Sequence, residues 1–560
     1  MDKKRKWLPT FFLALIILLA AFLRLYRLDQ VPPSLYIDEV DVGYQAYSLL
    51  KTGRDYFGNF LPIHFHSLAD WRTPLYLYAV VPTIALFGLN EWGVRLPAVL
   101  FGLATIPLMY FLVRKLFNTH QMCAFLASLL LAISPWHIQY SRMAFEVTMM
   151  LFFFLAGLLA FFQGLKNGRW LILSVFLFFL TPYVYSTAKF FLPLFLLLLF
   201  FVYRKQILKQ RRQHLLASIS LGLLMGLPLG REVILGHGGS RFAILSIFTD
   251  PNSIAIVLHR RFLTTFAIPD PLLFGLHPAT VAIIFFNKLV NWALIFFQNY
   301  LDAFSPQFLF LSGDPNLRHS PPDMGMVYWL EVFFLPLGIY ALTKLKDKQT
   351  KLLLFLWFLL APIPAAITRD GAGHGTRLFF QLPVLIILST LGLVEIVRRV
   401  RLKKLVLTLL SLVFLFNFSW YLFDYHFVYP FQSFPWWDYG NKQLIEAVSR
   451  HEDKFEKVIF TIPQKEILQF ILFFKPIDPA FYQEKGLPEK YQLAEFDPKL
   501  ILDKKFMAEK SCQELYVGKE EEVKRLAETK KLPSYLSLVE LIEYPTGGPV
   551  FYLISKINCL

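Results

Sequence analysis

Pro9-Thr10-Phe11-Phe12-Leu13-Ala14-Leu15-Ile16-Ile17-Leu18-Leu19-Ala20-Ala21-Phe22-Leu23-Arg24-Leu25-Tyr26-Arg27 decides the fold of this chain. A helix needs about 20 apolar residues to cross the hydrocarbon layer of a bilayer. This run has that length and follows a basic patch, Lys3-Lys4-Arg5-Lys6. A cleaved leader starts the same way. Here no small-residue cleavage site follows, and more apolar runs do, so the run reads as a retained first span with its N-terminus inside. Arg24 and Arg27 at its far end cut against that pattern.

Composition agrees with lipid as the main solvent. Of 560 residues, 56% are hydrophobic and 17% charged, with 59 Phe. Soluble domains average about 25% charged residues. A disordered chain is excluded, and a soluble one has too little charge to cover its apolar surface. The net charge of +16 sits in short clusters between apolar runs. That is the pattern of cytoplasmic loops facing anionic lipid, not of a nucleic-acid surface. Cys123, Cys512 and Cys559 make neither a disulfide framework nor a metal site, and Cys123 reads as packed in an apolar run.

Ten further runs lie near 94–113, 121–137, 145–163, 169–185, 188–203, 214–230, 325–343, 351–367, 376–396 and 404–422. Another, 74–89, is also apolar. Omitting it puts the basic clusters at Arg114–Lys115, Lys166 with Arg169, Arg204 to Arg212, Lys344 to Lys351 and Arg398 to Lys404 all inside. Counting it puts them outside, so 74–89 is expected at the outer interface or re-entrant. The predicted fold class is an all-α polytopic membrane protein with about eleven spans and a small extracytoplasmic α/β C-terminal domain. The expected division is a transmembrane domain, 1–423, with long outer loops 28–93 and 231–324, and a soluble domain, 424–560. In the tail, Lys457-Val-Ile-Phe-Thr-Ile and Val550-Phe-Tyr-Leu-Ile read as strands and Glu520 to Thr529 as helix. Trp436 and Trp437 suit a membrane interface.

Chemistry is expected on the outer side. Tyr36-Ile37-Asp38-Glu39-Val40-Asp41-Val42-Gly43-Tyr44 places three carboxylates just beyond the first span. They read either as acids at a helix N-terminus or as a general base or metal ligand. Ser134-Pro-Trp136-His137-Ile-Gln-Tyr140-Ser-Arg142-Met-Ala-Phe-Glu146 follows the third span. Arg142 and Glu146 read as an i,i+4 helical pair, or Arg142 as a phosphate ligand at the mouth of a bundle. Arg72, Lys189, Arg369, His374 and Arg377 stand at other outer ends, where each alone reads as a snorkelling cation. Together they suggest an anionic headgroup site. Gly313-Asp314-Pro-Asn-Leu-Arg318-His319-Ser320 is a turn by composition, and Arg318 and His319 are candidate contacts. His64, His66, His237, His259 and His277 have no spacing that demands a metal. Trp71, Trp136 and Tyr140 read as sugar-stacking or interfacial aromatics.

The early acidic pair, the Ser-Pro-Trp-His-Ile…Ser-Arg…Glu string and Gly-Asp-Pro-Asn-Leu-Arg-His-Ser together resemble bacterial membrane glycosyltransferases of the GT-C superfamily. The closest resemblance is to the protein O-mannosyltransferase-like group, which includes the lipid A aminoarabinose transferases, and it covers most of residues 1–425. It implies a polyprenyl-phosphate sugar donor and an inverting transfer to a protein, lipid or polysaccharide hydroxyl at the bacterial inner membrane. Asp38 would be the general base, and Glu39 would orient the loop or bind the acceptor. Arg142, Lys189, Arg377, Arg72 and His374 would bind the donor phosphate, with Asp41, Glu146, Arg318 and His319 as acceptor or loop contacts. Some relatives carry an Asp in the second loop where Arg142 and Glu146 stand here. No cofactor is required by this reading. A divalent cation on Asp38, Glu39 and Asp41 is the disfavoured alternative, and no metal ligand is assigned. The competing functions are a lipid flippase or transporter, disfavoured because span centres carry almost no charge, and a ligase for whole lipid-linked glycans.

Overall fold

Helices far outnumber strands because apolar runs in lipid must satisfy their own backbone groups. A computed structural model describes residues 3–67, 71–117, 121–236, 239–267, 277–494, 497–511, 513–519 and 532–557. Cys512, Cys559, His237 and the expected helix from Glu520 to Thr529 lie outside the described residues. The early elements are α1 (Lys3–Leu25), α2 (Ile37–Thr52), the ribbon β1 (Phe65–His66) with β2 (Trp71–Arg72), α3 (Pro74–Phe87) and α4 (Glu91–Phe117). Then come α5 (Gln121–Ile133), α6 (Pro135–Ser141) and α7 (Val147–Gly164).

Seven helices among the described residues are long and apolar enough to cross a membrane, or nine if each of two bent pairs is one span. By length and composition the described residues thus give seven to nine spans where about eleven were expected. Pro9–Leu25, Arg169–Val184 and Glu331–Thr343 are apolar but shorter than 18 residues, and α5 and α6 meet at a 56° bend. Conversely, the expected loop 231–324 contains a bent apolar pair, Pro278–Phe285 and Lys288–Leu311. At 14 residues α3 is about 21 Å long, short of a roughly 30 Å hydrocarbon layer.

The chain falls into two compact units. One holds residues 1–24, 100–141 and 145–422. The other holds 25–99, 142–144 and 423–560. This grouping differs from the expected division, because the first long loop packs with the tail. In the first unit, Gly338 and Gly392 let two helices touch: a Cβ would stand 2.0 Å from the Leu388 carbonyl oxygen and 1.9 Å from that of Phe334, respectively. Small residues serve this purpose where lipid, not water, surrounds the helices. Phe154 centres an aromatic cluster with Phe178, Phe195, Trp357 and Phe380. Leu223, Leu227 and Phe416 are exposed, as lipid-facing residues are. Cys123 is buried, as expected.

In the second unit the tail forms a five-stranded sheet. Its strands are β3 (Lys457–Phe460), β4 (Tyr491–Leu493), β5 (Glu514–Lys519), β6 (Leu536–Glu543) and β7 (Pro549–Lys556), in the order β4-β3-β5-β7-β6. β3 runs parallel to β4 and β5, and β7 antiparallel to β5 and β6. Both expected strands are present as β3 and β7. Helix α2 packs against Gln464–Phe474, where Gly43 leaves room for Phe473, whose ring would lie 2.3 Å from an added Cβ. Trp437, expected at the interface, is instead fully buried, with its indole N–H on the Tyr429 hydroxyl.

Candidate active site

Helix α2 begins after Tyr36, which is extended and offers no side-chain cap. The Asp438 carboxylate takes that role, accepting from the Ile37 N–H at 2.9 Å. Asp38 and Glu39 in the first turn add negative charge where the helix dipole favours it. A helix turns about 100° per residue, so Asp38 and Asp41 share a face while Glu39 points elsewhere.

That rotation sorts the three acids. Arg72, delivered by β2, donates from Nη2 to Asp38 Oδ1 at 2.5 Å, and its Nε lies 3.0 Å from Asp41 Oδ2. The Asp38 side chain is 42% exposed and that of Asp41 only 1%. Tyr56 donates to Asp41 Oδ1 at 2.9 Å. Burial pushes the Asp41 carboxyl up to about 6, against the lowering effects of Arg72 and Tyr56. The cluster thus pairs an accessible carboxylate with a buried one across a shared guanidinium.

Glu39 is fully buried against Arg95, with Nε on Oε1 at 3.0 Å and Nη2 on Oε2 at 2.9 Å. Glu39 Oε1 also accepts from the Ala144 N–H. Arg95 donates onward to the carbonyls of Leu28, Pro32 and Ser34. Arg142 does the same from the other side: its Nη2 donates to the carbonyls of Tyr26, Arg27 and Val31 at 2.8, 3.1 and 2.8 Å. Its guanidinium lies 5.5 Å from the Tyr425 ring centre. Two buried arginines therefore fix the segment between α1 and α2. Arg142 and Glu146 do not stand on one helix as expected, because α6 ends at Ser141 and α7 begins at Val147.

In the other unit, Arg377 binds Asp370 through both terminal nitrogens, at 2.6 and 3.1 Å, and Thr368 Oγ1 at 2.6 Å. Burial raises the Asp370 carboxyl, but the Arg377 bonds and charge outweigh it and hold it below its ordinary value. Lys189 is half-buried in the first turn of Ala188–Leu208. Glu146 is buried just before α7. Arg318 is half-buried, and its carbonyl accepts from Gln139. His319 Nδ1 lies 2.6 Å from Asp314 Oδ2, and the His319 and His374 rings lie 4.8 Å apart. Trp136 and Tyr140, expected as outer-face aromatics, are buried. Trp136 donates to the Gly375 carbonyl, and the Tyr140 hydroxyl meets Thr376 Oγ1 at 2.8 Å.

The sequence singled out neither Arg95, Tyr56 nor Asp314 as a site residue. Arg95 carried one signal, a cation early in an apolar run, of the same kind that drew attention to Arg142. Arg24, the anomaly in the first span, is buried and donates to the carbonyls of Ala20 and Ala132, with Nη2 2.7 Å from His137 Nδ1.

Residues 71–228 match the family model described as dolichyl-phosphate-mannose-protein mannosyltransferase. The chain is 27% identical over 233 residues to the putative mannosyltransferase YycA of Bacillus subtilis (strain 168), covering 41% of this chain and 32% of that protein. It is 25% identical over 422 residues to the dolichyl-phosphooligosaccharide-protein glycotransferase 2 of Pyrococcus furiosus, covering 66% of this chain and 52% of that protein. The chain thus spans about half or less of these relatives' length. The archaeal oligosaccharyltransferase AglB of Archaeoglobus fulgidus has the same fold over 100% of this chain and 75% of its own, with a TM-score of 0.50 at 13% identity. In local sequence and in whole-chain fold, this multi-pass membrane protein is similar to the GT-C glycosyltransferases, as its protein O-mannosyltransferase-like motifs implied.

Proposed function

We propose that this chain is an inverting glycosyltransferase that moves a sugar from a polyprenyl-phosphate donor to a hydroxyl acceptor at the outer face of a bacterial inner membrane. The observation that carries the reading is Asp38, the one exposed acid of the three in α2, held by Arg72. A general base must reach the proton it removes. Asp38 takes the proton from the acceptor hydroxyl, that oxygen attacks the anomeric carbon, and the bond to the donor phosphate breaks. The leaving phosphate needs little protonation, and fixed cations stabilise its charge most in the transition state. Arg72 is the cation beside the base. Lys189 and Arg377 are taken as donor-phosphate contacts, each to be checked by the donor KM on substitution. Arg142 and Glu39 position the loop. The acceptor is a protein, lipid or polysaccharide hydroxyl.

The test compares purified wild type with Asp38→Asn on a pool of polyprenyl-phosphate sugars, with envelope extract as acceptor. Release of polyprenyl phosphate by wild type, lost in the variant while donor binding persists, supports the reading. Loss of donor binding as well moves Asp38 to a binding role. No release, with lipid transport in vesicles, overturns the transferase.

A further inference from the structure

We propose that Asp314, His319 and His374 form a binding site for a divalent transition-metal ion, Zn2+ fitting best, that ties the 313–320 segment to the 368–377 segment. One donor atom from each residue lies within 4.8 Å of the others. Two imidazoles and a carboxylate are a donor set that Zn2+ favours, with bonds of about 2.0–2.2 Å and ligand atoms therefore roughly 3.3 Å apart. Metal uptake would have to close that difference by side-chain rotation.

A plain Asp–His hydrogen bond accounts for His319 alone. It gives no reason for a second imidazole, 55 positions along the chain, to stand against the same pair (374 minus 319). The surroundings match a metal site whose outer contacts orient its ligands. Asp314 Oδ2 accepts from the Gly375 N–H at 2.8 Å, and Oδ1 from the Asn316 N–H at 2.9 Å. The Ser320 hydroxyl meets the Asp314 backbone at both its N–H and its carbonyl. The Tyr140 ring stacks on His319, and Phe145 meets it edge-on, which fixes the plane of the imidazole. Gly375 leaves room for this approach: a Cβ there would lie 2.7 Å from the Met326 methyl and 2.8 Å from the Tyr140 hydroxyl. Asp314 and His319 are both buried, so competing water is scarce.

The test uses full-length protein without a polyhistidine tag, stripped with chelator and titrated with Co2+ and then Zn2+. Bound metal is counted by elemental mass spectrometry, and Co2+ is followed by its visible absorption. Wild type is expected to take up one equivalent, with an intense tetrahedral-type Co2+ band that Zn2+ displaces. His319→Ala, His374→Ala and Asp314→Ala should each lose the band and weaken binding at least roughly 100-fold, more than the 10–100-fold of an outer-contact change. Half-buried His374 carries the test if the other variants do not fold, with His374→Gln as a volume-matched companion. No stoichiometric uptake by wild type overturns the site, as does uptake unchanged in the variants. The readout needs no sugar donor, so it stands or falls apart from the transferase reading.

Discussion

Asp38 and Glu39 are consecutive residues on one helical turn, and each is paired with an arginine, yet the two pairs sit in different media. The Glu39–Arg95 pair is sealed from solvent, while Asp38 keeps 42% of its side-chain surface beside Arg72. A sealed, bidentate pair cannot exchange a proton with a substrate without opening the fold. An accessible carboxylate can. The same residue types therefore serve as structural clamp or as candidate base according to burial alone.

The largest effect is expected from breaking the sealed pair. Arg95→Ala leaves a buried carboxylate without its partner, which costs about 3–5 kcal/mol. It also strands the carbonyls of Leu28, Pro32 and Ser34. Thermal unfolding in detergent should show a severely destabilised or unrecoverable protein, and wild-type stability would refute the clamp. Asp38→Asn is expected to invert that outcome. Turnover should fall about 10²–10⁴-fold, the usual contribution of a general base, with stability within about 1 kcal/mol.

Asp41 sharpens the contrast by pH. Its carboxyl titrates near 6 in the folded chain, above the ordinary 3.8, so the folded state holds the proton longer. Stability then falls as pH rises from about 4 to about 6 and is level above. Asp41→Asn removes this dependence. Melting curves across that window should show wild type losing a couple of kcal/mol relative to the variant, at about 1.4 kcal/mol per unit. Parallel curves would mean that Asp41 is an ordinary acid. The smallest effect belongs to the tail. Arg450 is 55% exposed in its pair with Glu540, so Arg450→Ala should change stability by less than about 1 kcal/mol.

Much of this was readable in advance. The apolar runs, the strands at 457–460 and 549–556 and the acids of α2 follow from residue type and period. Three features did not. Span count depended on where helices break, as at the 56° bend between α5 and α6. The role of Arg142 depended on carbonyls more than 110 residues away. Trp437 was buried by partners that no local pattern reveals, among them Tyr36, whose ring meets it edge-on.

The sequence by itself determined that the chain is a helical multi-pass membrane protein and that acids and cations gather in its loops. Lipid solvation and helical period are local matters, legible in twenty residues at a time. Tertiary structure alone decided which acid stays accessible, which arginines become clamps, and that Asp314, His319 and His374 meet. Each depends on burial and on contacts between distant segments, and desolvation turns chemically alike side chains to opposite uses.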